Sequence, residues 1–374
     1  APGLVTAKPS NSHLWHFDTS LESTDGIKPL EGAVATLRPN EGRFGGAVAV
    51  EEGTENRFTN PSFNTPNDNG GWNHWGTSGV NGSYGQSTDK KYIYGNQQYA
   101  HWVANAEDSS SHYLCYQSPT LNGQPSYRSL TAILCMEDGS EVTNDKVFPT
   151  ANSTTSQGAP NRQWTSIKNI PGTIFYICKW EGFHQTGAND LVGIAVSPGY
   201  KVYISFAQLE DKPFATSFVD GTRAAGKLEY EVTYGECGTL AWWMTGSSRP
   251  DYSAGIFNLN PGGTPRNDLW QHSTAYTPNT LVGWYNAGSG LHLNCPLAID
   301  PNDWLWCVIT WNKTTKLRTL TVHNLTKGVS NSVSANDADT LVFGDKLRYN
   351  YSPSYPANVL YDEVMLWNQD ATPE

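Results

Sequence analysis

The stretch ISFAQLEDKPFATSFVDGTRAAG, residues 204 to 226, decides how this chain is divided. Ile204, Phe206 and Leu209 are apolar with polar residues among them, the pattern of a β-strand that buries one face. The chain then leaves through Pro213 and the Asp220-Gly221 pair, residues that stop a strand and favour a turn. A fresh strand-like run, KLEYEVT, follows directly on Gly226. A β domain therefore ends in the middle of the chain, and a second series of strands resumes after it.

Working outward, 374 residues exceed one ordinary core and suit two or three domains. Hydrophobic residues make up 38% and charged residues only 16%, with 12% aromatics, 35 glycines and 22 prolines. Low charge, abundant turn formers and many rings predict an all-β protein. No run of 18 apolar residues exists, so no membrane insertion is expected. The formal net charge of −11 argues against nucleic acid, which selects a basic face. Cys115, Cys135, Cys178, Cys237, Cys295 and Cys307 form no C-x-x-C pair, which argues against a zinc motif. Four of them (115, 135, 178 and 307) lie in apolar runs and read as small core hydrophobes, although an even count leaves disulfides open. The opening Ala-Pro-Gly carries no basic-then-apolar leader, which suits either a removed signal or a removed initiator methionine in a protein assembled inside a cell.

Strand candidates appear first at LWHFD, GAVATLR and FGGAVAVEEG, between Leu14 and Gly53. A polar Asn/Gly/Pro segment opens at Glu55, and strands then recur up to Phe206, among them YAHWVA, HYLCYQS, RSLTAILCM and TIFYICKW. Their spacing and the turn residues between them fit a β-sandwich. Residues 144 to 161 are polar and read as a long loop. After Gly226 come GTLAWWMTG, AGIFNLN, DWLWCVITWN, LRTLTVHN and NVLYDEVMLWN, and no apolar stripe of helical period exceeds two turns.

GTLAWWMTG (Gly238 to Gly246), WLWCVITWNKTTKLRTLTVHN (Trp304 to Asn324) and LYDEVMLWNQ (Leu360 to Gln369) resemble strands of the concanavalin A-like, laminin-G-like jelly roll. That family also begins with strands like LWHFD and GRFGGAVAV, which here lie at the opposite end of the chain. The resemblance implies a discontinuous jelly-roll sandwich of residues 1–53 and 220–374. Between them, residues 54–219 would form an inserted β-sandwich. Insertion at an exposed turn is physically permitted, and the N-terminal strands would need the C-terminal half to hide their edges. The insert resembles carbohydrate-binding modules of the galactose-binding-like class, through NRFTNPSFNTPNDNGGW at its start and YISFAQLEDKPFATSFV at its end. The latter resembles a module terminator that recurs in bacterial and phage surface proteins.

Sugar binding uses flat rings for pyranose faces, with amides and carboxylates for the hydroxyls. Trp72, Trp75, Tyr84, Tyr92 and Trp180, with Glu181 beside the last, are the candidate carbohydrate-binding residues, with His184 and Gln185 nearby. The alternative place for each ring is the insert's own core. Trp270, Trp284 and Tyr285 lie near loops and are candidates for a second shallow site, whereas Trp243, Trp304 and Trp311 read as core. Modules of this class often hold a structural calcium (Ca2+), for which Glu210 and Asp211 are the candidate ligands; Asn64 departs from the family's acidic residue. No further cofactor is required.

No Glu-x-Asp-x-x-Glu pair of the kind used by glycosidases on the concanavalin-like fold is present. Asp362 and Glu363 are adjacent, so a regular strand sends them to opposite faces. Gly-x-Ser-x-Gly and metal-spaced histidines are absent as well. The resemblance thus implies a non-enzymatic virion or surface protein, a tail, fibre or head decoration. It would bind cell-surface or capsular glycans through aromatic-lined sites, as a homo-oligomer or multi-copy array among other virion structural proteins. Its place would be the virion surface, or else the extracellular cell surface. Two alternatives are a purely structural cementing protein and an ancillary domain pair of a secreted carbohydrate-active enzyme.

Overall fold

The computed structural model describes residues 12–51, 53–63, 72–76, 82–109, 112–118, 126–151, 162–185, 191–212, 215–247, 253–263, 267–274, 277–286, 291–300, 303–338, 340–350 and 357–368. Among them the chain forms 26 strands and one short 3-10 turn at Lys90–Tyr92. No helix among the described residues is long and apolar enough to cross a membrane. The chain divides into two compact units, Ala1–Gly53 with Ala224–Glu374, and Thr54–Arg223.

The first unit is a sandwich of an eight-stranded and a six-stranded sheet. In the larger sheet the order is Thr36–Arg38, Ala47–Ala49, Leu360–Trp367, Cys237–Thr245, Trp304–Asn312, Leu317–Asn324 and Val329–Asn336. Ser12–Trp15 also pairs with Leu360–Trp367, antiparallel, with Ser12 opposite Trp367 and Trp15 opposite Val364. Leu360 and Tyr361 at the start of the same strand pair with Ala49 and Val48. The smaller sheet runs Leu228–Glu231, Lys346–Tyr349, Ser253–Asn258, Asn267–Thr274, Thr277–Asn286 and Leu291–Pro296. Alternate residues of both sheets meet in one core, which includes Trp15, Val48, Trp242, Phe257, Trp284, Trp311 and Tyr361. Trp284 is a correction to the loop-site expectation: it is buried, donates through Nε1 to Asn267 Oδ1 at 2.6 Å, and lies under the Arg318 guanidinium. Arg318 is itself buried and paired with Asp337 at 2.6 Å.

The segment EGRFGG, residues 41–46, is folded onto two carboxylates. Phe44 N–H donates to Asp362 Oδ2 at 3.1 Å, and Gly46 N–H donates to Asp18 Oδ1 at 2.6 Å. A Cβ on Gly42 would meet Asp362 Oδ2 at 2.8 Å, and one on Gly46 would meet Phe17 O at 2.5 Å. Only glycine lets this backbone approach so closely.

The second unit is also a sandwich. Its four-stranded sheet runs Val147–Ala151, Val192–Val196, Tyr113–Gln117, Asn73–Gly76. Its six-stranded sheet runs Ser166–Asn169, Tyr176–Gln185, Ser126–Met136, Lys201–Glu210, Ala100–Asn105, Gly82–Ser87. One core, with Trp72, Leu130, Leu134, Trp164, Ile194 and Ile204, lies between them. A smaller cluster around Ile133, Phe175 and Tyr203 covers the six-stranded sheet's other face. The unit reaches Arg223, four residues past the expected 219, because Thr222–Arg223 pairs antiparallel with Thr54–Glu55.

Trp15 fills the first unit's core at 0% exposure, whereas His13 on the same strand makes a part-exposed hydrogen bond with Asp25. Trp15→Ala should cost about 3–5 kcal/mol, and His13→Ala about 0–1 kcal/mol, in denaturant unfolding. Equal losses from the two would be incompatible with the observed register.

Candidate functional site

The sequence-predicted site residues do not converge on one place. Two of them are corrected by their burial. Trp72 is 1% exposed, packed against Phe58 and Phe63, and its Nε1 donates to Asn60 O at 3.3 Å. Trp180 is 7% exposed and stacked on Phe183 at 3.9 Å. Neither offers a face to a sugar. Both lie in apolar surroundings because the sandwich needs large rings to fill the space between sheets about 10 Å apart. Trp75 lies in the strand Asn73–Gly76, but its side chain, like those of His184 and Gln185, falls outside the described residues. Glu181 accepts from the Ala215 N–H at 2.8 Å, so its carboxylate holds the chain's exit segment. Tyr92 lies flat on Tyr203 at 3.8 Å, with its hydroxyl donating to Glu137 O at 3.1 Å.

Glu210 and Asp211 do not fit calcium. Glu210 is fully buried and takes Thr54 Oγ1 at 2.5 Å, Thr216 N at 2.8 Å and Thr216 Oγ1 at 2.6 Å. Asp211 takes Arg57 Nη2 at 2.8 Å and Arg128 Nε at 2.9 Å. A hard cation needs six to eight oxygen ligands, and here donor hydrogens and two guanidinium groups occupy that place. The carboxylates instead fasten the beginning of the second unit to its end.

Among the predicted rings whose side chains are described, Tyr84 alone has a large open face, at 42% exposure. It sits on Gly82–Ser87, the outermost strand of the six-stranded sheet, and stacks over His74 of Asn73–Gly76, the outermost strand of the four-stranded sheet. The rings are 3.5 Å apart and 3° from parallel. Behind them, His74 Nε2 is 2.8 Å from His101 Nε2, His101 stacks on Phe63, and Phe63 stacks on Trp72. A continuous stack thus runs from the core to the lateral edge of the sandwich, where Tyr84 caps it. The Gly82 and Gly85 positions accept the neighbouring rings: a Cβ there would meet Tyr113 at 2.1 Å and Trp102 at 2.8 Å. Burial lowers His74 to about 4, and burial with the neighbouring His74 lowers His101 to about 3. At neutral pH both rings are therefore uncharged, one donating and one accepting across the 2.8 Å gap.

Two clusters escaped the sequence reading. Cys115 stands directly opposite His74 in the antiparallel register, and the ligand atoms of His74, His101 and Cys115 all lie within 4.8 Å of one another. These residues come from three separate strands, so spacing along the chain gave no signal. The second cluster corrects the placement of Asp362 and Glu363. The ladder between Leu360–Trp367 and Cys237–Thr245 shifts register here, and Glu363 adopts φ +46°. Both carboxyls face the segments around residues 16–18 and 43–46. Glu363 Oε1 bonds His16 Nδ1 at 2.6 Å, and Asp18 lies close enough to raise both. Burial pushes Asp362 up to about 6 and Glu363 up to about 7. Adjacent aromatics line this region: Phe44 meets Trp243 edge-on at 5.3 Å, Trp243 tilts against Trp306, and Arg43 lies over Phe44 and Trp243.

The strands and their pairing define an all-β protein of two sandwich units. No protein-family model matches the chain, and no curated protein does. Among solved structures, the tandem CBM22 domain of Paenibacillus barcinonensis Xyn10C is similar at 9% identity and a TM-score of 0.31, over 86% of this chain and 99% of that one. The LG1-3 region of the laminin alpha2 chain is similar at 11% identity and a TM-score of 0.25, over 67% of this chain and 63% of that one. Tailspike protein 2 of Escherichia coli O157:H7 bacteriophage CAB120 is similar at 14% identity and a TM-score of 0.33, over 39% of this chain. This chain spans 22% of that tailspike's length.

Glu210→Gln should destabilise the protein by roughly 2–3 kcal/mol, since it puts amide hydrogens against buried donors. Added calcium should leave the thermal midpoint unchanged, and a calcium-dependent rise would contradict the donor set around Glu210 and Asp211. The buried acid pair makes a separate prediction. Because Asp362 and Glu363 hold protons more tightly folded, at about 6 and 7, than their ordinary values near 4, they contribute stability below that ordinary value. This contribution is lost as pH rises through 6 and 7. Asp362→Asn should flatten the fall in unfolding free energy between about pH 4 and pH 6.

Proposed function

We propose that this is a non-enzymatic glycan-binding protein that takes the flat face of a saccharide on Tyr84. The observation that carries this reading is the ring's arrangement: one face is supported on His74 at 3.5 Å, and 42% of the residue remains open. A ring held in this way loses little freedom when a sugar stacks on it. Gln86, two residues along the same strand, donates through Nε2 to Phe63 O at 3.3 Å and so braces the strand that carries Tyr84. Such a site is shallow, and useful strength comes from many copies acting together. The surface of a virion or cell, with the chain arrayed among other structural proteins, supplies that multiplicity. The terminator-like QLEDKPFATS segment, which resembles those of phage and bacterial surface modules, supports this setting. Asp362 and Glu363 are 0% and 1% exposed and so lie beyond the reach of a substrate.

A second reading, a cementing protein with no sugar site, is favoured by the burial of Trp72, Trp180, Trp242, Trp243 and Trp311. A glycan array probed with the full chain and with Tyr84→Ala separates the two. Glycan binding that weakens roughly tenfold in the variant, the scale of one lost ring contact, supports the first reading. Silence across diverse sugars, or binding untouched by the substitution, overturns it.

A further inference from the structure

We propose that His74, His101 and Cys115 form a binding site for one zinc ion that bolts together the two sheets of the second unit. His74 and Cys115 are opposite partners on adjacent strands of the four-stranded sheet, His74↔Cys115. Their side chains therefore start only about 5 Å apart on a common face. His101 reaches the same point from Ala100–Asn105 of the six-stranded sheet, with Nε2 2.8 Å from that of His74. All three ligand atoms lie within 4.8 Å of one another.

The donor set selects the metal. One thiolate and two imidazoles suit zinc, whereas calcium and magnesium take oxygen. Three protein ligands leave a fourth tetrahedral position. Zinc–nitrogen bonds of about 2.0–2.1 Å with tetrahedral angles place two nitrogens about 3.3 Å apart. The imidazoles thus part by about half an ångström from their hydrogen-bonded distance. His74 can make that shift because its strand pairs on one side only. On binding, the Cys115 thiol proton leaves to solvent. The proton shared between the two imidazoles moves to the other nitrogen of the ring that carried it. Zinc takes the three freed lone pairs.

The test is titration of the chelator-treated full chain with zinc, and with cobalt as a spectroscopic substitute. The expected result is one equivalent bound per chain, a higher thermal midpoint with zinc, and a cobalt spectrum carrying both tetrahedral bands and a thiolate-to-metal charge-transfer band. His74→Ala, at the half-buried edge, should retain the fold, lose the midpoint rise and bind zinc at least tenfold more weakly. Cys115→Ser should abolish the charge-transfer band. Should its buried position prevent folding, His74→Ala still decides the matter. Absence of saturable uptake, uptake unchanged in His74→Ala, or a cobalt complex without the thiolate band would each overturn the proposal.

Discussion

The first unit depends on one strand. Leu360–Trp367 pairs with Cys237–Thr245 on one side and with both Ser12–Trp15 and Ala47–Ala49 on the other. Backbone N–H and C=O groups in a sandwich interior must be paired, and a sheet edge left open is a liability. The N-terminal strands are too short to make a sheet alone. Ser12–Trp15 and Ala47–Ala49 join the sheet through Leu360–Trp367, more than three hundred positions away. The insertion of 170 residues, Thr54–Arg223, is compatible with that arrangement because its own ends pair as Thr54–Glu55 with Thr222–Arg223.

The same economy governs the insert's boundary. Asn56, Gln208 and Glu210 are buried, and each satisfies backbone or hydroxyl groups of the segments that begin and end the unit. Asn56 donates to Ala207 O and Val219 O and accepts from Phe58 N and Leu209 N. Gln208 accepts from Val219 N, and Glu210 from Thr54 and Thr216. The Gln-x-Glu spacing, with alternate residues on one face of the final strand, explains in physical terms why the terminator segment looks as it does. Its acidic residue serves as a hydrogen-bond acceptor for chain closure, and a cation at that position would compete with those donors.

The aromatic residues show how far composition reaches. A ring in a polar, glycine-rich stretch reads as exposed, yet Trp72 in such a stretch is at the centre of a packed stack. Trp180, beside a charged Glu181, is buried because successive strand residues alternate between faces. Tyr84 was legible as a candidate, but its support by His74 was not, since that contact crosses between two edge strands. The histidine–cysteine cluster was invisible for the same reason. The burial of Asp362 and Glu363 was also hidden, because alternation assigns adjacent residues to opposite faces and a register shift at φ +46° breaks that rule.

The sequence by itself determined the all-β class, the strand runs, the reading of a split first sandwich and the segment that closes the insert. Those features rest on local physics: period-two patterning, turn residues and the cost of unpaired edges, all carried within short windows of the chain. Tertiary structure alone decided which rings face solvent, which carboxylates are satisfied by donors, and which side chains from separate strands come within bonding distance. These depend on how sheets stack and slip in register, and a shift of one residue moves a side chain from one face to the other.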